Sequence, residues 1–489
     1  MAPCSVLLVA LLSAVVAAAE VIYMEKEKLE LEAYIQEKLP QINDRYKLDY
    51  HLTPRVGWMS DPNGFSFFNG LFHMFYQFYP YASRWGPMHW GHAVSSDLVH
   101  WNQLPTALIP EDEMCFSGSA IQYKNLLVLM YSGRRRTPEV APFKNESQYL
   151  AYSTDGVDFA KYENNPVLSY TPNNAADFRD PKVWKHGDYY YVVIGSTKDS
   201  DTGRVLLYRS EDLRQWEFLR VLAESKGDLG FLWACPDFFE LNGKYVLLIS
   251  PQGIQPQGDR FKNAYQTGYV IGDFNYETFE FVPETKFQEL DFGHDFYVAQ
   301  TMEENGKRYV VGWFSMWEQK YPEAEDGWAG ALTLVRELRL VGDRLVQKPV
   351  LDMVQLRNGV VASGWYMPQS TLNFGRTGEI IIFEPDLTQV VEILFEGTDG
   401  GEKASIQWNP DTRKVIVDRG NDIRQVEWNP LQSLSWRIFL DASSVELFCG
   451  EGELVFSTRV YKLGNWRVTN LSPQILTIDA YRLSKSIEQ

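Results

Sequence analysis

From about residue 50 onward, short apolar runs alternate with polar, turn-forming stretches, a pattern that predicts many short strands. Leu71–Tyr79, Leu126–Tyr131, Tyr189–Ile194, Val205–Tyr208 and Tyr245–Ile249 are such runs. Residues 24–38 carry a different period. Leu29, Leu31, Ala33, Tyr34, Ile35 and the following Leu39 stand among Glu and Lys, which predicts a short amphipathic helix lying on the outside of the main domain.

A repeat underlies the strands. Ser96-Asp97-Leu98-Val99-His100-Trp101 is echoed by Thr154-Asp155-Gly156-Val157-Asp158-Phe159 and again by Glu211-Asp212-Leu213-Arg214-Gln215-Trp216. Gly272-Asp273-Phe274-Asn275-Tyr276 continues the series. A unit near 60 residues holding about four strands fits a propeller blade. Asp61, Ser117, Asp180, Ala234 and Asp295 recur at a similar interval, each shortly before an apolar run. One phase of a repeat is one radial position, so all five are expected on the innermost strands around a single axis. The fold class expected is all-β, with a five-bladed β-propeller over residues 50–345. Beyond about 355 the phase is lost. Glu379–Phe383, Gln389–Phe395, Lys414–Asp418, Trp436–Leu440 and Val445–Phe448 read as strands of a C-terminal β-sandwich over residues 355–489. A short helical segment at 20–49 precedes the propeller.

Charge and composition narrow the partners. A formal net charge of −18 argues against nucleic acid and against an anionic membrane surface. Ser5-Val6-Leu7-Leu8-Val9-Ala10-Leu11-Leu12, followed by Ala17-Ala18-Ala19, reads as a secretory leader over residues 1–19, so a secreted, extracellular protein is expected. No other segment approaches a membrane span. Without the leader, Cys115, Cys235 and Cys449 remain, too few for a disulfide framework, and free buried thiols are expected. Asn145-Glu146-Ser147 and Asn470-Leu471-Ser472 fit the N-glycosylation acceptor pattern. His89-Trp90-Gly91-His92 invites a metal reading, but no further ligand pattern follows, and buried hydrogen-bonded histidines are the stronger expectation.

The chemistry gathers in three motifs. Trp58-Met59-Ser60-Asp61-Pro62-Asn63-Gly64 contains a tetrapeptide that alone would be only a turn. Phe178-Arg179-Asp180-Pro181 alone would be only an ion pair. With Phe231-Leu232-Trp233-Ala234-Cys235-Pro236-Asp237 they resemble the signature motifs of glycoside hydrolase family 32, the β-fructofuranosidases. The resemblance covers nearly the whole chain after the leader. Tyr50-His51-Leu52-Thr53-Pro54 looks like the bacterial sucrose and sucrose-6-phosphate hydrolases, and the leader like secreted lepidopteran gut sucrases.

That resemblance implies the family's five-bladed propeller with a C-terminal sandwich, and a retaining hydrolysis of sucrose with neither cofactor nor metal. Asp61 is implied as the nucleophile that forms a covalent fructosyl-enzyme. Asp180 is implied to hold the fructose hydroxyls through the oxocarbenium-like transition state, with Arg179 bracing the cluster and keeping nearby carboxylates ionised. The family's general acid/base is a glutamate, and here it is Ala234, with Asp237 as its implied support. Trp58, Asn63, Gln77, Trp85, Phe116 and Ser117 are implied sugar contacts, with Trp313 and Trp317 either at the rim or in the core. Ser60 replaces the family's usual Asn. Since the other motif positions fit a working site, a deliberate Glu→Ala exchange of the kind that traps a sugar is favoured over a natural, non-catalytic fructoside-binding protein. An arabinan-cleaving propeller is disfavoured by the paired Trp-Met-Ser-Asp-Pro-Asn-Gly and Trp-x-Cys-Pro-Asp motifs.

Overall fold

The apolar runs become strands because both faces of most of them are covered. Leu126–Arg135 and Tyr189–Lys198 are buried over nearly their whole length, as strands inside a stack of sheets must be. The computed structural model describes residues 26–135, 146–169, 177–199, 201–420 and 422–488. The leader expected at 1–19 and the acceptor Asn145 lie outside the described residues.

Residues 57–349 form five antiparallel sheets. Their innermost strands are Gly57–Phe68, Glu113–Tyr123, Phe178–His186, Leu232–Leu241 and Tyr297–Glu304. Each inner strand packs against the next, and the fifth returns to the first, which closes a five-bladed propeller. The first blade gains two parallel edges. Trp328–Ala329 pairs with Gly57–Trp58, and Ile487–Glu488 pairs with Trp101–Asn102.

The repeated Asp marks the turn between the third and fourth strands of a blade. Asp97 Oδ1 accepts the N–H groups of Val99 and His100, while Ser95 Oγ accepts that of Leu98. Ser153 with Asp155, and Ser210 with Asp212, do the same. In the fourth blade the turn is made by Asn275, which accepts from Glu277 and Thr278, and not by Asp273. Either side chain can close such a turn, so the echo of Asp in the sequence pointed two residues too early.

Two six-stranded sheets between residues 357 and 483 face each other as the sandwich, with Trp408, Trp428, Trp436 and Trp466 buried between them. The helix spans residues 26–38 among those described. Leu31 and Ile35 enter the core beneath the first blade, and Glu32 receives two hydrogen bonds from Arg55 at 2.6 and 2.9 Å. Leu29, expected on the apolar face, is 72% exposed.

A seam of buried charge joins the two domains. Arg336 of the propeller donates to Asp291 (2.9 Å) and, across the seam, to Glu446 (2.6 Å) and Ser457 of the sandwich. His51, ahead of the first blade, stands between Asp441 (2.8 Å) and Glu446 (2.7 Å). Asp441 also accepts the backbone N–H groups of Asp49, Tyr50 and His51. Arg336, Glu446 and Ser457 thereby pair with one another with almost no water contact, although Arg336 Nε has no partner among the described residues.

Candidate active site

Every innermost strand is interrupted at the same depth. Two residues oppose one across the ladder at Ser60-Asp61, Phe116-Ser117, Asp180-Pro181 and Cys235-Pro236, and the fifth strand shifts register at Val298. A bulge re-aims side chains that a regular strand would send to alternate faces. Proline follows the bulge in the first strand and lies within it in the third and fourth, where a missing N–H costs no ladder bond. Asp180, Cys235 and Val298 have positive φ (63°, 44° and 42°), conformations sparsely populated for these residue types and held here by their neighbours.

The bulges turn residues from four blades onto one spot. Ser117 Oγ donates to Asp61 Oδ2 at 2.8 Å. The N–H of Cys235 donates to Asp180 Oδ2 at 3.0 Å, and Cys235 Sγ lies 3.7 Å from Asp61 Oδ2. Asp61, Ser117, Asp180 and the backbone beside Ala234 therefore meet at the propeller axis. The shared phase holds only to within a residue. Aligned by the bulge, Asp61 and Ser117 are its second residue, Asp180 its first, and Ala234 the residue before it.

Asp295 does not join them. It precedes the fifth inner strand, and its carboxylate takes Arg419 Nη1 (2.7 Å) and the N–H of Arg459 (2.8 Å) at the interface with the sandwich. Regular spacing brought it to the right sequence distance, but the chain has not yet entered the strand there.

The remaining expected residues surround the carboxylates. Gln77 lies opposite the first bulge and donates to the Cys115 carbonyl at 2.9 Å, beneath Phe116 and Ser117. Asn63 is buried, its Oδ1 accepting the Gly118 N–H at 3.2 Å, while its Nδ2 has no partner among the described residues. Ser60 is buried. Trp58 is buried and stacks on the half-buried Trp317, ring centres 5.7 Å apart, with its Nε1 unpartnered among the described residues. Trp313 belongs to the core, its Nε1 donating to the Met59 carbonyl. Trp85 is 43% exposed and meets the buried Phe116 edge-on, placing Trp85 at the rim.

The electrostatics divide sharply. Arg179 is held by Glu146 at 2.8 Å and by Asp177. Those anions, with Asp180, outweigh burial and raise its pKa, so it remains a cation. Asp180 nonetheless has its pKa pushed up to about 7. Burial is the main cause and Asp61 adds to it, whereas Arg179 and the Cys235 N–H pull the other way. The expected protection of this carboxylate by Arg179 is thus incomplete, because burial outweighs it. Asp237 pairs with Lys182 at 3.0 Å and accepts the Thr301 N–H at 2.8 Å, leaving Oδ1 buried without a partner among the described residues.

Sequence reading missed several of these groups. Ser132, opposite the second bulge, accepts the Asp180 N–H at 2.8 Å. Glu146 lies inside the first glycosylation tripeptide, and nothing in the residues around it marks its carboxylate as a partner for Arg179. Asp177, two residues before Arg179, is the local sequence signal for this pairing. Asn470, the acceptor of the second tripeptide, is buried, and its Nδ2 donates to the Tyr366 carbonyl at 2.9 Å. His89 and His92 are buried, bonded to the Pro87 carbonyl and to His73. Among the described residues Cys115, Cys235 and Cys449 form no disulfide, and Cys235 is only half-buried.

Known proteins share this arrangement of domains. A profile described as the glycosyl hydrolases family 32 N-terminal domain matches residues 51–349, and one described as glycosyl hydrolases family 32 C terminal matches residues 381–472. The chain is similar to the structure of a Bombyx mori family 32 β-fructofuranosidase mutant in complex with sucrose. Identity is 57%, over 95% of this chain and 100% of that one, with a TM-score of 0.93. It is 37% identical over 473 residues to the sucrose-6-phosphate hydrolase of Zymomonas mobilis, covering 90% of this chain and 91% of that protein. It is 36% identical over 475 residues to the raffinose invertase of Escherichia coli, covering 91% and 96%.

Proposed function

The chain belongs to glycoside hydrolase family 32, and from that premise we propose that it takes sucrose and related β-fructosides, with the fructose ring deepest in the pit and the glucosyl group toward Trp85 and Phe116. The observation that carries this reading is the direct contact among Ser117, Asp61, Cys235 and Asp180 at the propeller axis. In the proposed reaction Asp61 attacks the anomeric carbon of fructose as the bond to the glucosyl oxygen breaks, giving a covalent fructosyl-Asp61. Asp180 binds fructose hydroxyls and, as its carboxylate, stabilises the positive charge that develops on the ring. Water then attacks the intermediate and releases fructose with retained configuration.

Both steps need a proton carrier, which donates to the leaving oxygen and then accepts from water. Ala234 can do neither. The nearest carboxylate in sequence, Asp237, is engaged by Lys182 and the Thr301 N–H, so it supports the position without replacing its function. We therefore read the chain as a secreted β-fructofuranosidase that binds its sugar and turns it over poorly.

Replacing Ala234→Glu tests this directly. General acid–base help contributes on the order of 10²–10⁴ in rate, and sucrose hydrolysis should rise by that factor. In the unaltered chain, azide should capture the fructosyl-enzyme without a base and give the retained fructosyl azide. An Ala234→Glu protein that folds yet stays inactive toward every fructoside would transfer the site to the sugar-binding reading. An inverted azide product would remove Asp61 as nucleophile.

A further inference from the structure

Trp317 is carried by a turn, residues 316–321, that follows the second strand of the fifth blade, Lys307–Trp313. Its half-buried ring stacks on Trp58 of the first motif. With Phe116 and Cys235 these rings belong to one apolar cluster around the pit, so the place of Trp317 shapes the pit's edge.

Little packing holds this turn on the side of the sandwich. A cleft of about 740 Å³ opens there, with Glu318, Gln319 and Lys320 on one wall and residues 401–405 and 418–420 on the other. A turn with few buried neighbours on one side depends on its individual hydrogen bonds there. The Gln319 N–H donates to the Met316 carbonyl at 3.0 Å, and on the side of the fourth blade Glu318 accepts the Ala264 N–H at 2.9 Å. Across the cleft the tie is Arg419, whose Nη2 donates to Gln319 Oε1 at 2.9 Å.

Arg419 is itself fixed. Its side chain is 10% exposed, and its Nη1 donates to Asp295 Oδ2 at 2.7 Å and to the Arg459 carbonyl at 3.0 Å. Asp295 stands two residues before the fifth inner strand, Tyr297–Glu304, which shifts register at Val298. The planar guanidinium therefore sets Gln319 against the base of that strand in one rigid fork, which a flexible lysine would not do.

We propose that Arg419 is a positioning residue of the pit, by which the sandwich domain, through Gln319, holds Trp317 where it meets the glucosyl half of a bound sucrose. This role rests on the fructoside reading above. The axial carboxylates take the fructose ring, and the half-buried Trp317 at the edge offers an apolar surface to the part of the sugar that projects beyond them. Arg419 touches no sugar itself, and its effect reaches the sugar only by way of Trp317.

The test is titration of the intact chain with sucrose and with fructose by ligand-observed NMR, with urea unfolding as the check on folding. Arg419→Met would also strip Asp295 of its partner, so the exchange is made at Gln319. Gln319→Ala removes the turn's end of the clamp and leaves Arg419 on Asp295, and its unfolding midpoint should be that of the parent. It should weaken sucrose about fivefold and leave fructose within about twofold. Trp317→Ala should weaken sucrose at least as much, and adding Gln319→Ala to it should weaken it no further. Sucrose affinity unchanged by either exchange would overturn the proposal. So would an equal loss for fructose, or a loss that adds in full to that of Trp317→Ala. A parent chain that binds no sucrose would remove the fructoside reading, and this role of Arg419 with it.

Discussion

Asp180 in the pit and Glu446 in the domain seam are both buried carboxylates with an arginine nearby, yet the two regions hold them in opposite states. Burial alone would raise Glu446, but Arg336 and His51 outweigh it and bring it down to about 2. Burial does raise Asp180, to about 7, because the pull of Arg179 and of the Cys235 N–H falls short of it and Asp61 and Glu146 add their own charge. The seam spends its cations on its own anions. In the pit Asp180 is left raised, although unpartnered buried polar atoms occur in both regions among the described residues, Asn63 Nδ2 and Trp58 Nε1 in the pit and Arg336 Nε in the seam. A region that serves only to join domains satisfies its ions internally. A region that holds a carboxylate above its ordinary range beside a second carboxylate is arranged for something that arrives from outside.

The contrast is broken most severely from the seam side. Glu446→Gln leaves Arg336 and His51 without their shared anion and should cost about 3–5 kcal/mol of stability near pH 7, read from urea unfolding. The sign follows from the lowered pKa. The stabilisation is present above the ordinary value near 4.5 and is lost as pH falls toward 2, so parent and variant should converge in acid. Curves that stay parallel down to pH 2 would show that Glu446 is not held as an ion.

From the pit side the same kind of exchange should stabilise. Asp180→Asn keeps an oxygen for the Cys235 N–H and removes a carboxylate that ionises at a cost. The folded chain holds that proton up to about pH 7 while the unfolded chain releases it near 4, so the penalty grows between those values and is complete above 7. The variant should gain roughly 1–4 kcal/mol at pH 8 and nothing below pH 4, while losing affinity for sucrose. A variant less stable than the parent at pH 8 would put Asp180 among the structural ions and erase the distinction.

The smallest effect is expected at Ser117. Ser117→Ala removes one hydrogen bond to Asp61 and should lower kcat/KM of the Ala234→Glu protein by about 1 kcal/mol, or fivefold. A loss confined to KM would mean that Ser117 serves binding alone.

The period and the three motifs made the propeller and its carboxylates legible, because blades repeat and a repeat fixes radial position. The alignment by bulge was not legible. Asp61 and Asp180 differ by one residue in phase, and only the pairing of each inner strand with its neighbour reveals the two-against-one count that brings both to the axis. Asp295 failed for the matching reason, since spacing alone cannot say where a strand begins. Glu146 and Ser132 come from the second blade, and their roles depend on which blade stands next to the third. The seam was invisible for a simpler reason. Its members are single polar or charged residues scattered from His51 to Ser457, and nothing local marks a lone Glu in an apolar strand as a partner for an Arg 110 residues away.

The pairing of Ile487–Glu488 with Trp101–Asn102 sets an order for biogenesis. The first blade emerges early from a ribosome, but its outermost edge is supplied by residues synthesised almost four hundred positions later. Until then that edge, together with the Asp49–His51 stretch that awaits Asp441, has open backbone groups, a known route to mispairing in slowly folding β proteins. Removing residues 487–488 should therefore reduce the yield of folded protein more than it reduces the activity of the molecules that do fold.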